Sequence, residues 1–262
     1  MIFFRISSFA RYIIEALPCS GHGVHSPFAF DLVSRVFRNK IDPGVVCSIE
    51  KIRKELLADK TTIKVRDLGA GSGIMGKDTR KISDIARYSA VTEKYGLLLA
   101  RLSEEFGAPS VVEFGTSLGI STMYLASTVT DIPVFTMEGC PETAAVAERN
   151  FEKAGLDNIT VLKGPFDESM PELKKKVERP GLVFIDGDHR KGAVLRYFSE
   201  MAEIAGPDTV IVLDDINYSE DMGEAWNEVK CHPKVTLSVD IFRMGIVFFR
   251  QGFSSIAYRI RY

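Results

Sequence analysis

The stretch Val111-Val112-Glu113-Phe114-Gly115-Thr116-Ser117-Leu118-Gly119 is an apolar strand running into a loop of small residues, and the helix-like Ile120 to Val129 follows at once. Glycines let the backbone approach a ligand closely, and the first N–H groups of a helix can be presented to it. The next apolar run, Pro133 to Glu138, closes on an acid about 20 residues after the loop, where a carboxylate can accept hydrogen bonds from both hydroxyls of a ribose. Strand, loop, helix and distant acid together predict a nucleoside-type cofactor. The glycines alone would not.

Outward from this stretch the same rhythm continues. Apolar runs at Ser110 to Phe114, Pro133 to Glu138, Ile159 to Lys163, Leu182 to Asp186 and Thr209 to Asp215 alternate with helical segments. The helices are expected at Ile120 to Val129, Pro141 to Ala154, Gly192 to Ala205 and Glu220 to Lys230. Such alternation predicts an α/β fold, a parallel sheet with helices on both faces. Pro141 suits a first helical turn and Gly155 a helix end. Val235 to Asp240 and Met244 to Arg250, joined by a short link containing Phe242 and Arg243, read as an antiparallel hairpin closing the sheet.

Residues 1–88 lack this alternation and read as an N-terminal helical cap, leaving 89–262 as the cofactor-binding domain. The cap holds a second glycine cluster, Asp67-Leu68-Gly69-Ala70-Gly71-Ser72-Gly73. Its context fails for a cofactor loop: the preceding Ile63 to Arg66 is a weak strand, and the charged Lys77 to Lys81 follows instead of a helix. We expect a glycine-rich turn there, with at most an auxiliary contact. Cys19, His22, His25 and Cys47 invite a zinc reading, but the spacing is irregular and no second tight ligand pair follows. His25-Ser26-Pro27-Phe28 reads instead as a turn into a helix, with Ser26 as N-cap and Pro27 at the first helical position. Met1 to Leu17 is interrupted by Arg5, Arg11 and Glu15, too soon for a membrane span, and is expected as an amphipathic helix packed on its own protein.

With 33 Lys plus Arg against 35 Asp plus Glu, the net charge of -2 gives no global attraction to nucleic acid. Cys19, Cys47, Cys140 and Cys231 are widely spaced and no cleaved secretion signal is evident, so reduced thiols and a cytoplasmic location are expected.

These motifs resemble the class I methyltransferases that use S-adenosylmethionine, particularly the cation-dependent small-molecule O-methyltransferases of the catechol, caffeoyl-CoA and macrocin types. The resemblance runs over residues 88–250. It is carried by Lys94 to Leu98, the loop Glu113 to Gly119, Met137-Glu138, Asp186-Gly187-Asp188-His189 and Val212-Leu213-Asp214-Asp215. It implies a Rossmann-like sheet of seven strands with the last antiparallel. It also implies that Glu113, Gly115, Thr116, Ser117 and Gly119 surround the amino acid part of the cofactor. Glu138 would hold the ribose, Gly164 and Pro165 would sit beside the adenine, and Asp186 would border the cofactor.

Asp186 and Asp214 close two strands expected to be neighbours, roughly 5 Å apart, so their carboxylates can converge. Converging carboxylates repel or recruit a cation, and oxygen ligands suit Mg2+ or a similar divalent ion. The resemblance makes Asp186, Asp214 and Asp215 the metal ligands. An Asn is common at the position of Asp215, and an Asp there matches the sugar-modifying branch better. Asp188, His189 and Lys191 are candidate bases, of which Lys191 would need a depressed pKa. The expected reaction is methyl transfer to a hydroxyl of a small-molecule acceptor, and a homodimer is compatible with the sequence. Two other readings are a cofactor-binding interaction protein without turnover, and an NAD-dependent oxidoreductase, which would leave the acidic cluster and closing hairpin unexplained.

Overall fold

In the computed structural model, which describes residues 2–65, 79–252 and 255–262, the chain begins with α1 (Ile2–Glu15), α2 (Pro27–Ser34) and α3 (Pro43–Ala58). The Ser26 side chain accepts from the Ala29 N–H and Pro27 opens α2, as its sequence predicts. A cap of this kind contributes about 1 kcal/mol. Asp42 and Pro43 start α3 in the same way, with the Asp42 side chain accepting from Gly44 N. A short antiparallel pair, β1 (Thr62–Lys64) and β2 (Thr79–Lys81), precedes α4 (Ile82–Tyr88) and α5 (Glu93–Phe106). The glycine cluster Asp67 to Gly73 lies outside the described residues.

Strand and helix then alternate through β3 (Val111–Phe114), α6 (Ile120–Ala126), β4 (Val134–Glu138), α7 (Pro141–Ala154), β5 (Ile159–Lys163) and α8 (Phe166–Lys176). They continue with β6 (Leu182–Ile185), α9 (Lys191–Ile204), β7 (Val210–Leu213), α10 (Glu220–Lys230), β8 (Leu237–Asp240), β9 (Gly245–Phe248) and β10 (Ile256–Arg259). Pro141 does open α7, and Gly155 ends it in the left-handed region at φ 67°.

The chain forms two compact units, one of Lys40–Glu178 and one of Met1–Asn39 with Arg179–Tyr262. In the first, β3, β4 and β5 lie side by side in parallel, with Val111 opposite Val134 and Val134 opposite Ile159. All four residues of β3 are buried, which is why its sequence is continuous rather than alternating. In the second unit the order is β10, β8, β9, β7, β6. β6 runs parallel to β7, and β9 runs antiparallel to both β7 and β8.

The α/β class and the closing hairpin are as expected, but the strand count is not. Beyond β3 to β9, which answer to the seven expected, there is an eighth strand, β10, parallel to β8. β10 went unread because it is a half-exposed edge strand containing Tyr258 and Arg259 rather than an apolar run. α8 was hidden by an internal Pro171 and a run of lysines.

Composition divides the chain at residue 88, whereas compactness groups Met1–Asn39 with the C-terminal part. Leu17 N donates to the Arg259 carbonyl, Arg261 N donates to that of Leu17, and the Tyr12 hydroxyl donates to Ile260 O at 2.6 Å. In α1 Tyr12 is buried and Phe4 packs against Gly223 of α10, while Phe3, Ile6, Phe9, Ile13 and Ile14 are exposed. Among the described residues no helix is long and apolar enough to cross a membrane.

Candidate active site

In the first unit, β3 ends where Gly115 turns at φ 102° and both Gly115 N and Thr116 N donate to Met137 O at 3.1 Å. Ser117 at φ 48° and Gly119 at φ 83° complete the loop into α6. A Cβ on Gly119 would stand 2.5 Å from Phe151 Cε1 on α7, so close packing of the loop against that helix excludes any side chain. Glu138, at the end of β4, folds its carboxylate onto this loop. Ser117 N donates to Oε2 and Cys140 N to Oε1, each at 2.8 Å. Burial pushes the Glu138 carboxyl above its ordinary value, while the Cys140 and Ser117 N–H groups pull it back. The Thr143 hydroxyl and the Gly139 N–H pull it back as well.

Glu138 O accepts from Gly164 N at 2.9 Å, so the β5 end, with Gly164 and Pro165, lies beside that acid. Gly115, Thr116, Ser117, Gly119, Glu138, Gly164 and Pro165 are therefore brought to one end of the first unit's strands. Glu113 is placed differently. Its side chain has no exposure and accepts from Thr122 Oγ1 at 2.5 Å and Thr136 Oγ1 at 2.6 Å, both on Oε2. Burial raises its pKa, opposed by the hydroxyls of Ser121, Thr122 and Thr136. Thr136 also bonds Thr116 Oγ1 at 2.6 Å, so Glu113 braces the loop from beneath.

In the second unit, Ile185 pairs with Leu213, and Asp214 N donates to Ile185 O at 3.0 Å. The acids following β6 and β7 are thus neighbours, as predicted. Asp186 Oδ1 lies 3.7 Å from His189 Nε2, and the His189 ring lies 6.1 Å from that of Tyr218. Arg5 of α1 stands over Tyr218, its guanidinium carbon 5.4 Å from the ring centre.

The candidate bases separate on geometry. Lys191 pairs with Glu224 at 2.8 Å and Glu228 at 2.7 Å, and these bonds raise its pKa, the reverse of what a base needs. Lys191 is therefore corrected to a structural cation. Asp188 receives both Nε and Nη2 of Arg190 at 2.5 Å, which occupies both its oxygens. His189 is left as the candidate with a carboxylate beside it and a partly exposed ring.

Whether Asp186, Asp214 and Asp215 suit a divalent cation depends on oxygens being able to converge on it. Asp214 is fully buried, and Arg243 takes both its oxygens: Nε donates to Oδ1 at 2.9 Å and Nη2 to Oδ2 at 2.7 Å. The same Nε lies 3.8 Å from Asp215 Oδ1. Burial opposes the charge of Arg243, but its bond to Asp214 and the charges of Asp214, Asp215 and Asp186 outweigh that and hold it protonated. Burial, then the charge of Asp214, pushes the Asp215 carboxyl up. Inserting a cation would strand the guanidinium, and breaking a buried pair of this kind costs about 3–5 kcal/mol. The donor set does not fit the expected metal role, because its central carboxylate is already neutralised. Among the described residues no group of three or more His, Cys, Asp or Glu is arranged to hold a metal ion. His22, His25, Cys19 and Cys47 are exposed and form no such group either.

Arg243, Arg5 and Tyr218 escaped sequence reasoning. The one available signal was the position of Arg243 in the short link between the two strands of the closing hairpin.

Comparison with known proteins agrees with this layout. Residues 112–216 match a family described as a methyltransferase domain. The chain is 30% identical over 130 residues to a catechol O-methyltransferase of Niastella koreensis, a stretch covering 48% of this chain and 58% of that one. A catechol O-methyltransferase of Bos taurus is 31% identical over 49% of this chain and 48% of its own. The match thus spans about half the length of these curated relatives. Among solved structures, a putative O-methyltransferase from Klebsiella pneumoniae superposes with a TM-score of 0.58 at 21% identity, over 81% of this chain and 92% of its own. An O-methyltransferase from Bacillus cereus, solved with S-adenosylhomocysteine, gives 0.55 at 22% identity over 83% and 96%. At such identity these two speak for the fold alone. The loop of β3 and the acid closing β4 both fall within residues 112–216, the stretch similar to a methyltransferase domain.

Proposed function

We propose that this chain moves a methyl group from S-adenosylmethionine to a hydroxyl oxygen of a small-molecule acceptor. The observation that carries the reading is the Glu138 carboxylate at the end of β4, fixed against the loop by Ser117 N and Cys140 N. Glu138 binds the ribose hydroxyls. The backbone of Gly115, Thr116, Ser117 and Gly119 receives the amino acid end of the cofactor, while Gly164 and Pro165 flank the adenine. Glu113 holds the loop in shape through Thr122 and Thr136.

The bound cofactor supplies an electrophilic methyl on a sulfonium, and the protein must supply an oxygen nucleophile. His189 accepts the acceptor's O–H proton, with Asp186 beside it to orient the ring and stabilise the imidazolium. The oxygen lone pair then forms the C–O bond as the C–S bond breaks, its electron pair returning to sulfur. General base catalysis of this kind contributes roughly 10²–10⁴-fold. The divalent cation expected from the sequence has no part here, because Arg243 occupies Asp214.

The curated relatives named as catechol O-methyltransferases support placing aromatic diols first among acceptors. The test is a screen with methyl-labelled S-adenosylmethionine over catechols, sugars and hydroxylated lipids, followed by product identification. Label on an acceptor oxygen is expected. Label found only on nitrogen, or on no acceptor while the cofactor binds, contradicts the proposal.

A further inference from the structure

We propose that Arg243 is the permanent counter-cation of the Asp186, Asp214 and Asp215 cluster, standing where a divalent metal would otherwise be recruited, so that this chain works without one. The inference rests on the methyltransferase reading only for its catalytic consequence, since the charge arrangement stands on its own residues.

Three observations carry it. The first is the match of shapes. A guanidinium presents a flat fork of donors to a carboxylate, and Nε and Nη2 meet the two Asp214 oxygens at 2.9 and 2.7 Å. A hard divalent ion would need those oxygens turned toward a shared centre.

The second is the way the fork is delivered. Asp240 and Gly245 pair across β8 and β9, and the link between them is held at several points. Phe242, at φ 71°, donates its N–H to Asp240 Oδ1 at 2.8 Å and accepts at its carbonyl from Asn217 Nδ2 at 2.8 Å. Arg243 O accepts from Ile216 N at 3.0 Å, directly after the acidic pair. Phe9 and Tyr12 of α1 pack on the Phe242 ring at 5.1 and 5.2 Å. A residue in left-handed backbone, bonded on both sides and covered by two rings, marks a fixed turn rather than a wandering surface arginine.

The third is the surrounding charge. Arg243 Nε lies 3.8 Å from Asp215 Oδ1 as well as bonding Asp214, and the charges of His189 and Arg5 also act on Asp215. Two more positive charges added here would meet Arg243 at close range. With Asp214 neutralised in this way, Asp186 serves His189.

The probe is Mn2+, titrated into the full chain with and without S-adenosylhomocysteine, read by the electron paramagnetic resonance of the free ion and by calorimetry. Wild type is expected to show no saturable Mn2+ binding that depends on Asp214. Arg243→Met, which strips the cluster of its cation, is expected to gain Mn2+ affinity, and Arg243→Met with Asp214→Asn to lose it again. Stoichiometric Mn2+ binding by wild type that Asp214→Asn abolishes overturns the proposal. Binding that survives Asp214→Asn but is lost in Asp186→Asn with Asp215→Asn also overturns it, while binding that survives all these changes lies elsewhere and agrees with it. The comparison of wild type with these Asn variants decides the matter even where Arg243→Met fails to fold. Absence of any heat with S-adenosylhomocysteine would count against the methyltransferase reading, while the Mn2+ result would still report on Arg243.

Discussion

Arg243 grips Asp214 through two parallel hydrogen bonds, Nε to Oδ1 at 2.9 Å and Nη2 to Oδ2 at 2.7 Å, and Asp214 has no exposed surface. Removing the arginine leaves that carboxylate buried and uncompensated. Arg243→Ala should therefore lower stability by about 3–5 kcal/mol in urea unfolding, with part of the loss recovered in the Arg243→Ala/Asp214→Asn double variant. A loss below about 1 kcal/mol, the size expected of a surface pair, would show that the pair is not formed in solution.

Gly119 opens α6 at φ 83°, and a Cβ there would meet Phe151 at 2.5 Å and Ala147 at 3.2 Å. Gly119→Ala combines backbone strain with overpacking and should cost about 2–4 kcal/mol. Adding Phe151→Leu should recover the packing share but not the backbone share. Wild-type stability of Gly119→Ala in thermal unfolding would mean the loop is built otherwise.

Burial raises the Glu113 carboxyl above its ordinary value, against the opposing hydroxyls of Ser121, Thr122 and Thr136. A group whose folded pKa is raised contributes stability that is full below the unfolded pKa and lost as pH rises through the folded one. Wild type should therefore lose ground against Glu113→Gln as the pH climbs from acid to neutral. Urea midpoints of both proteins across that range give the answer, and a constant gap between them contradicts the shift.

His189 and Lys191 should behave oppositely once an acceptor is in hand. His189→Ala should lower kcat by roughly 10²–10⁴-fold, the usual contribution of a general base. Lys191→Met, which removes only the ties to Glu224 and Glu228, should stay within a few-fold of wild type. Equal losses in the two variants would remove His189 from the role of base.

The β3 loop and Glu138 were legible because their signals are local: a short, mostly apolar buried strand, glycines where φ is positive, and an acid at the next strand end. The convergence of Asp186 and Asp214 was legible from strand order. Arg243 was not, because its role depends on register. Leu213 pairs with Gly245 and Gly245 with Asp240, and only this double pairing brings the hairpin link back to Asp214. Lys191 looked like a base until Glu224 and Glu228, one helical turn apart on α10, were seen to hold it. The eighth strand was lost because an exposed edge bearing Tyr258 and Arg259 carries no apolar pattern.

The most direct test of the central claim is calorimetric titration of S-adenosylhomocysteine into wild type, Glu138→Gln and Glu138→Ala. Two charge-assisted hydrogen bonds to ribose, at about 1.5–3 kcal/mol each, place the loss in Glu138→Ala at about 100-fold or more, with a smaller loss in Glu138→Gln, which keeps one acceptor oxygen. Saturable binding by wild type in that order of affinities is the predicted result. No binding by wild type, or equal affinity in all three proteins, would contradict the account.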